Sequence, residues 1–186
     1  MTRIIAGMLR GRRLHTPKGS ATRPTSDRTR EALFSALAAR GVIEGARVLD
    51  LYAGSGALGI EAVSRGARAA ILVDSDRGAV AAMRRSLSDL GLEQVSVRAR
   101  DVRAYLQGTA SEHDLVLVDP PYDLPEATLA GVLEALTVGW LAEDAVVVVE
   151  RSARSPEPTW PPGLESVQDR RYGETAVWLA QARPPS

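Results

Sequence analysis

Apolar residues in this chain fall into short runs separated by helical stretches, and that alternation sets the expected fold. RVLDL (47–51) runs into a glycine loop and the helical stretch GALGIEAVSRG. AAILVD (69–74) leads to a helix from Arg77 to Leu90, closed by Gly91 as a C-cap. VSVRARD (95–101) precedes a short helix from Val102 to Gln107, and DLVLVD (114–119) precedes one from about Glu126 to Leu136. AVVVVE (145–150) is a fifth strand. Uninterrupted β-branched and leucine runs suit strands covered on both faces. Strand–helix alternation predicts right-handed crossovers, and so an α/β fold with a parallel sheet between two helical layers.

Both ends depart from the pattern. LESVQDRRY and ETAVWLA flank Gly173 and predict an antiparallel hairpin at one edge of the sheet, after the proline-rich loop SPEPTWPPG (155–163). RIIAGMLRGRRLHT (3–16) alternates around Gly7 and Gly11 and predicts a second, small hairpin. Ser26 is placed to cap a helix over DRTREALFSALAAR.

A chain of 186 residues can bury the core of one domain with a short appendage. No apolar run approaches a membrane span and no apolar signal region opens the chain, so a cytoplasmic protein that meets no membrane is expected. The absence of cysteine excludes disulfides, cysteine zinc sites, iron–sulfur clusters and cysteine nucleophiles. It also disfavours carbon-5 methylation of pyrimidines, which needs a cysteine adduct. His15 and His113 lie far apart without a ligand pattern, so both are expected at surface or hairpin positions and no metal is expected.

The zero net charge hides an asymmetry. Residues 1–30 hold eight basic side chains against Asp27 alone, a charge of +7 balanced by −7 over the rest. A basic arm on an acidic body suits a polyanionic partner, and equally a solvated tail. Because the hairpin precedes the whole βαβ series, deletion of residues 2–16 is expected to leave the sheet folded while subunit methylation collapses.

Candidate chemistry gathers at the strand ends. Gly54, Gly56 and Gly59 in DLYAGSGALGIEA fit G-x-G-x-x-G between a strand and a helix, where the backbone can approach a ligand closely. Asp74, twenty residues after Gly54, ends the second strand and can take both hydroxyls of a ribose. A nicotinamide dinucleotide satisfies that much. Asp50, however, faces the cradle and would repel a pyrophosphate, whereas it would attract an ammonium or sulfonium. Asp101, ending the third strand, can accept from an adenine amine. Asp50, Tyr52, Gly54, Gly56, Asp74, Asp101 and Asp119 thus form a candidate site for S-adenosylmethionine.

LVLVDPPYD (115–123) supplies the second half. Proline cannot donate to a sheet ladder, so the chain must leave the sheet at Asp119 in a stiff turn. Asp119-Pro120-Pro121-Tyr122 resembles the (Asp/Asn)-Pro-Pro-(Tyr/Phe) motif of methyltransferases that modify exocyclic or amide nitrogens. In that arrangement Asp119 and the Pro120 carbonyl accept from a planar NH₂, Tyr122 stacks on the target, and Pro120 and Pro121 keep the acceptors rigid.

With these residues in place, the chain resembles the RsmD family of bacterial 16S rRNA (guanine-N2)-methyltransferases over nearly its whole length. The likeness rests on RIIAGMLRGRRL, RPTSDRTREALFSAL (23–37), VLDLYAGSGALGIEA, LVDSD and VDPPYD. It implies a Rossmann-like, seven-stranded methyltransferase fold acting on a guanine of 16S rRNA in assembled or assembling small subunits. It divides the chain into a basic hairpin extension (1–24) and a methyltransferase domain (25–186). It further implies that the hairpin and the Arg23–Arg30 stretch engage RNA, through Arg3, Arg10, Arg12, Arg13, Arg23 and Arg28. A monomer is expected. The motif alone also serves DNA and protein-amide methyltransferases, and a non-catalytic RNA-binding assembly factor could keep the same fold.

Overall fold

The computed structural model describes residues 2–19 and 26–184; Arg23 of the expected RNA-binding set lies outside them. Two short strands, β1 (Thr2–Arg3) and β2 (Arg13–Leu14), pair antiparallel as the N-terminal hairpin. Helix α1 (Asp27–Ala39) begins at Ser26, whose hydroxyl accepts from the Thr29 amide at 3.1 Å. Then come β3 (Arg47–Leu51), α2 (Ala57–Ser64), β4 (Ala69–Asp74), α3 (Arg77–Leu90), β5 (Val95–Ala99), α4 (Val102–Leu106), β6 (His113–Val118), α5 (Glu126–Leu136), β7 (Leu141–Ser152), β8 (Leu164–Tyr172) and β9 (Thr175–Ala182).

The main sheet has seven strands in the order β5-β4-β3-β6-β7-β9-β8. The first five in sequence are parallel, and β9 is antiparallel to both β7 and β8. The chain builds outward from β3 to β5 and then returns to place β6 on the other side of β3. Ligands of open α/β sheets bind at that reversal, beyond the carboxyl ends of the strands.

Period-2 alternation divides the core between the faces. Val48, Leu115, Leu117, Val146 and Val148 pack with Leu33, Phe34 and Leu37 of α1, Ile60 of α2 and Met83 of α3. Leu49, Leu51, Val116, Val118, Val147 and Val149 pack under α4 and α5 with Trp140. A strand covered on both sides can be apolar at every position, which is why the valine run of β7 reads without alternation.

Two expectations need correction. His113 is not at the surface: it opens β6, is buried, and stacks on Trp140 with ring centroids 6.2 Å apart. Burial lowers its pKa and keeps it neutral. Strand β7 starts at Leu141, four residues early, because Leu141 pairs with His113 before a register shift restores the ladder at Val146. Asp144, in the left-handed conformation at φ 60°, sits within that irregular stretch.

The N-terminal hairpin is docked rather than trailing. Ile4 and Leu14 are buried in the α1–α3 core. Glu61 of α2, itself 0% exposed, accepts from the Ile5 and Ala6 amides at 2.9 and 3.0 Å and from Arg65 at 2.9 Å. Ser64 accepts from the Met8 amide through its carbonyl and from the Leu9 amide through its hydroxyl. Gly7 (φ 82°) passes so close that a Cβ there would lie 1.9 Å from the Ser64 carbonyl oxygen. Removing residues 2–16 would therefore strip apolar cover and leave the buried Glu61 with fewer partners, a cost to the fold that chain order does not reveal.

Candidate active site

The glycine loop is shaped by its own acids. Gly54 (φ 58°) and Gly56 (φ 78°) adopt left-handed conformations, and so does Tyr52 (φ 59°), which costs a non-glycine residue of order 1 kcal/mol. The Gly54 amide donates to Asp74 at 2.8 Å, while the other Asp74 oxygen accepts from the Asp76 amide at 2.9 Å. Asp74 thus ties the end of β4 to the loop beyond β3. Gly59 is needed for packing: a Cβ there would lie 2.3 Å from the Leu72 side chain and 3.1 Å from Asp50.

Asp50 lies beneath this loop, 1% exposed. One of its oxygens accepts from the Gly59 amide at 2.9 Å, and the other has no hydrogen-bond partner. Burial, reinforced by the Asp74 charge, pushes its carboxyl up to about 7. Asp101 caps α4, accepting from the Ala104 amide at 3.0 Å, and stays exposed. Tyr52 is half-buried, and burial together with the Asp101 charge pushes its hydroxyl to about 12. Asp50 and Asp74 therefore bond the glycine loop directly, while Asp101, beyond the end of β5, acts on Tyr52 through its charge.

Asp119 follows β6 directly, next to β3, its amide reaching the Leu51 carbonyl at 3.5 Å. Asp50 pairs in register with Leu117, and Val118 with Val149, so Asp50, Asp119 and Glu150 share one face at the strand ends. Burial raises the Asp119 pKa well above the ordinary carboxyl range, the charges of Glu150 and Asp50 raise it further, and Arg151 opposes them. Tyr122 is 53% exposed, a ring presented to solvent beside these acids. Such a site favours a cation and offers an acceptor and a stacking platform to a planar amine.

Of the expected RNA-binding arginines, Arg10, Arg12, Arg13 and Arg28 are exposed. Arg3 is exposed but pairs with Asp27 at 3.1 Å, and Arg12 donates to the Asp89 carbonyl at 3.3 Å. Arg30, within the expected RNA-engaging stretch, is instead buried. It donates to Thr2, the Arg3 carbonyl and Asp27, and lies 4.0 Å from Glu61. It belongs to the hairpin's docking, and it is not available to a partner.

Two residues with structural consequence for the site escaped sequence reasoning. Arg151, after the valines of β7, is 2% exposed and reaches the 119–126 loop. Glu61 receives the hairpin. For Glu61 the signal was a lone charge inside an apolar helix; Arg151, beside Glu150 at the end of β7, offered none.

The sheet order, the glycine loop at the first strand of the reversal and the Asp-Pro-Pro-Tyr turn at the next define a Rossmann-like methyltransferase. Residues 2–181 match the family model described as Conserved hypothetical protein 95. Ribosomal RNA small subunit methyltransferase D of Escherichia coli (strain K12) is 39% identical over 181 residues, which cover 96% of this chain and 89% of that relative. YlbH of Bacillus subtilis (strain 168) is 33% identical over 186 residues, 97% of this chain and 99% of YlbH. The solved structure of yhhF from Escherichia coli superposes with a TM-score of 0.87 at 37% identity, covering 97% of each chain. The chain belongs to the family so matched, the RsmD family.

Proposed function

We propose that this enzyme transfers a methyl group from S-adenosylmethionine to the exocyclic N2 amine of a guanine in 16S rRNA of the small ribosomal subunit. The observation that carries the reading is the adjacency of the Asp119–Tyr122 turn to the acid-lined glycine loop across neighbouring strands β6 and β3. The resemblance to small-subunit rRNA methyltransferases supplies the substrate class.

The residues present fit the cofactor. Asp50 has a buried oxygen without a partner, suited to the cofactor's cationic end. The backbone at Gly54 leaves room for close approach, with Tyr52 alongside, while Gly56 packs against Leu72 and Met83. Asp74 suits the ribose hydroxyls and Asp101 the adenine amine. When bound, the cofactor supplies an electrophilic methyl on a sulfonium. Asp119 and the Pro120 carbonyl hold the two N–H groups of the amine, turning its lone pair out of the guanine plane. Tyr122 stacks on the base and fixes its plane. The raised pKa of Asp119 suits it to take the proton that the nitrogen sheds once methylated. Exposed Arg10, Arg12, Arg13 and Arg28, with Arg3, engage phosphates near the target.

The test is methyl transfer from labelled S-adenosylmethionine to small subunits isolated from cells lacking this gene, followed by nucleoside mass spectrometry. N2-methylguanosine is expected. Label in another nucleoside, or in protein alone, overturns the assignment. Calorimetry should show binding of S-adenosylmethionine and none of NAD.

A further inference from the structure

Arg151 raises a question that the proposed reaction does not answer. A guanidinium buried among valines costs several kcal/mol of desolvation unless its donors are met, and an apolar side chain would fill the same place at no such cost. The Nη donors of Arg151 go to one loop, while its buried Nε has no hydrogen-bond partner among the described residues. Nη1 donates to the Pro121 carbonyl at 3.0 Å, and Nη2 donates to the Leu124 carbonyl at 2.9 Å and to Glu126 at 2.8 Å. Glu126 is the first residue of α5, so the arginine ties the last turn of β7 to the turn between β6 and α5.

That turn cannot hold itself well. Pro120, Pro121 and Pro125 have no N–H to donate, so its backbone can make few bonds. Within it the Leu124 amide donates to the Pro121 carbonyl at 3.0 Å. Arg151 supplies the donors that the prolines lack. With Leu124 and Arg151 both donating to it, the Pro121 carbonyl has each lone pair engaged. The Asp119 carboxylate and the Pro120 carbonyl are left as acceptors for a substrate.

We infer that Arg151 is a positioning residue for methyl transfer, holding the Asp119–Tyr122 turn in the shape that presents the Asp119 carboxylate and the Pro120 carbonyl to the substrate amine. The inference rests on the proposed reaction and adds a residue to it. Arg151 touches no substrate: it acts through the Pro121 and Leu124 carbonyls, and its charge also favours the ionised form of Asp119.

Arg151→Met keeps the volume and removes the donors. Its melting temperature is expected to shift only slightly, because the lost loop bonds and the vanished desolvation of the buried charge oppose each other. Its kcat on small subunits should nevertheless fall by about tenfold to a hundredfold, the scale of a misplaced reacting group. Affinity for S-adenosylmethionine should stay at the wild-type value, and amide exchange over residues 119–126, read at Leu124, should quicken. Arg151→Lys, with one point charge for a fork, should fall between. If Arg151→Met does not fold, Arg151→Lys carries the test with the same readouts.

A merely structural arginine predicts a lowered melting temperature with kcat per folded molecule unchanged, and that result overturns the inference. So does wild-type kcat beside quickened exchange, or a lost kcat beside unchanged exchange. Wild-type enzyme that methylates no small subunits would sink the substrate reading alone, and the exchange at Leu124 would still decide whether Arg151 holds the turn.

Discussion

At Asp50 the needs of stability and of binding diverge. Burial, helped by Asp74, raises its carboxyl from 3.8 to about 7. A carboxyl whose pKa rises on folding contributes most at low pH, and the contribution is lost as pH climbs toward the folded value. The ligand-free protein should therefore lose stability at this group between those two values. Asp50→Asn keeps an acceptor for the Gly59 amide and abolishes the charge. Calorimetry at about pH 8 should find it melting above wild type, with the gain shrinking toward about pH 4. A cationic cofactor favours the ionised acid, so wild-type affinity should rise with pH and level off above about 7, and Asp50→Asn should bind more weakly and with a flatter profile. Asp119→Ala should act on turnover instead, costing about a hundredfold to a thousandfold in kcat with little change in cofactor affinity. Tyr122→Phe should keep the stacking ring and most of the rate, whereas Tyr122→Ala should lose about 1–3 kcal/mol of base stacking. A Phe variant as slow as the Ala one would remove stacking from the account. The turn that carries Asp119 and Tyr122 was legible in sequence because two prolines at a strand end force the chain out of the sheet. Arg151 was not, since its main-chain partners begin 30 residues earlier and main-chain acceptors leave no trace in a side-chain pattern.

Among the elements, the N-terminal hairpin shows how far alternation can be read. Its two strands followed from periodicity around Gly7 and Gly11, but its attachment did not. The hairpin is held through its own amides by Glu61 and Ser64, so its binding to α2 depends on backbone geometry. Gly7→Ala, strained at φ 82° and driven into the Ser64 carbonyl, should destabilise the protein by about 2 kcal/mol or more in chemical denaturation. Substituting Arg10, Arg12 and Arg13 with Gln spares the hairpin's amide bonds and separates docking from RNA engagement. The logarithmic salt slope of RNA binding should shallow by up to about three, close to one for each phosphate no longer neutralised. An unchanged slope would make the hairpin's arginines a solvated face. Arg30 is the counterexample within the same run: the family resemblance put it in the RNA-engaging stretch, and the fold uses it to hold the hairpin.

Over the whole molecule, strand–helix alternation made the layers and the parallel strands legible before any side chain was placed. Strand order was not available from alternation, because nothing local tells β6 to turn back beside β3, and the family resemblance supplied the sheet's size. The position of β9 has a further consequence. Strand β9 lies between β7 and β8, although it comes after both in sequence. During translation, then, the valine edge of β7 emerges from the ribosome and stands unpaired until the stretch ending at Ala182 has been made. Exposed apolar strand edges recruit other chains, so a polypeptide halted near residue 174 should be a substrate for chaperones and proteases. Completion of the sheet is thereby tied to synthesis of β9, and chains interrupted before it should be cleared before they accumulate.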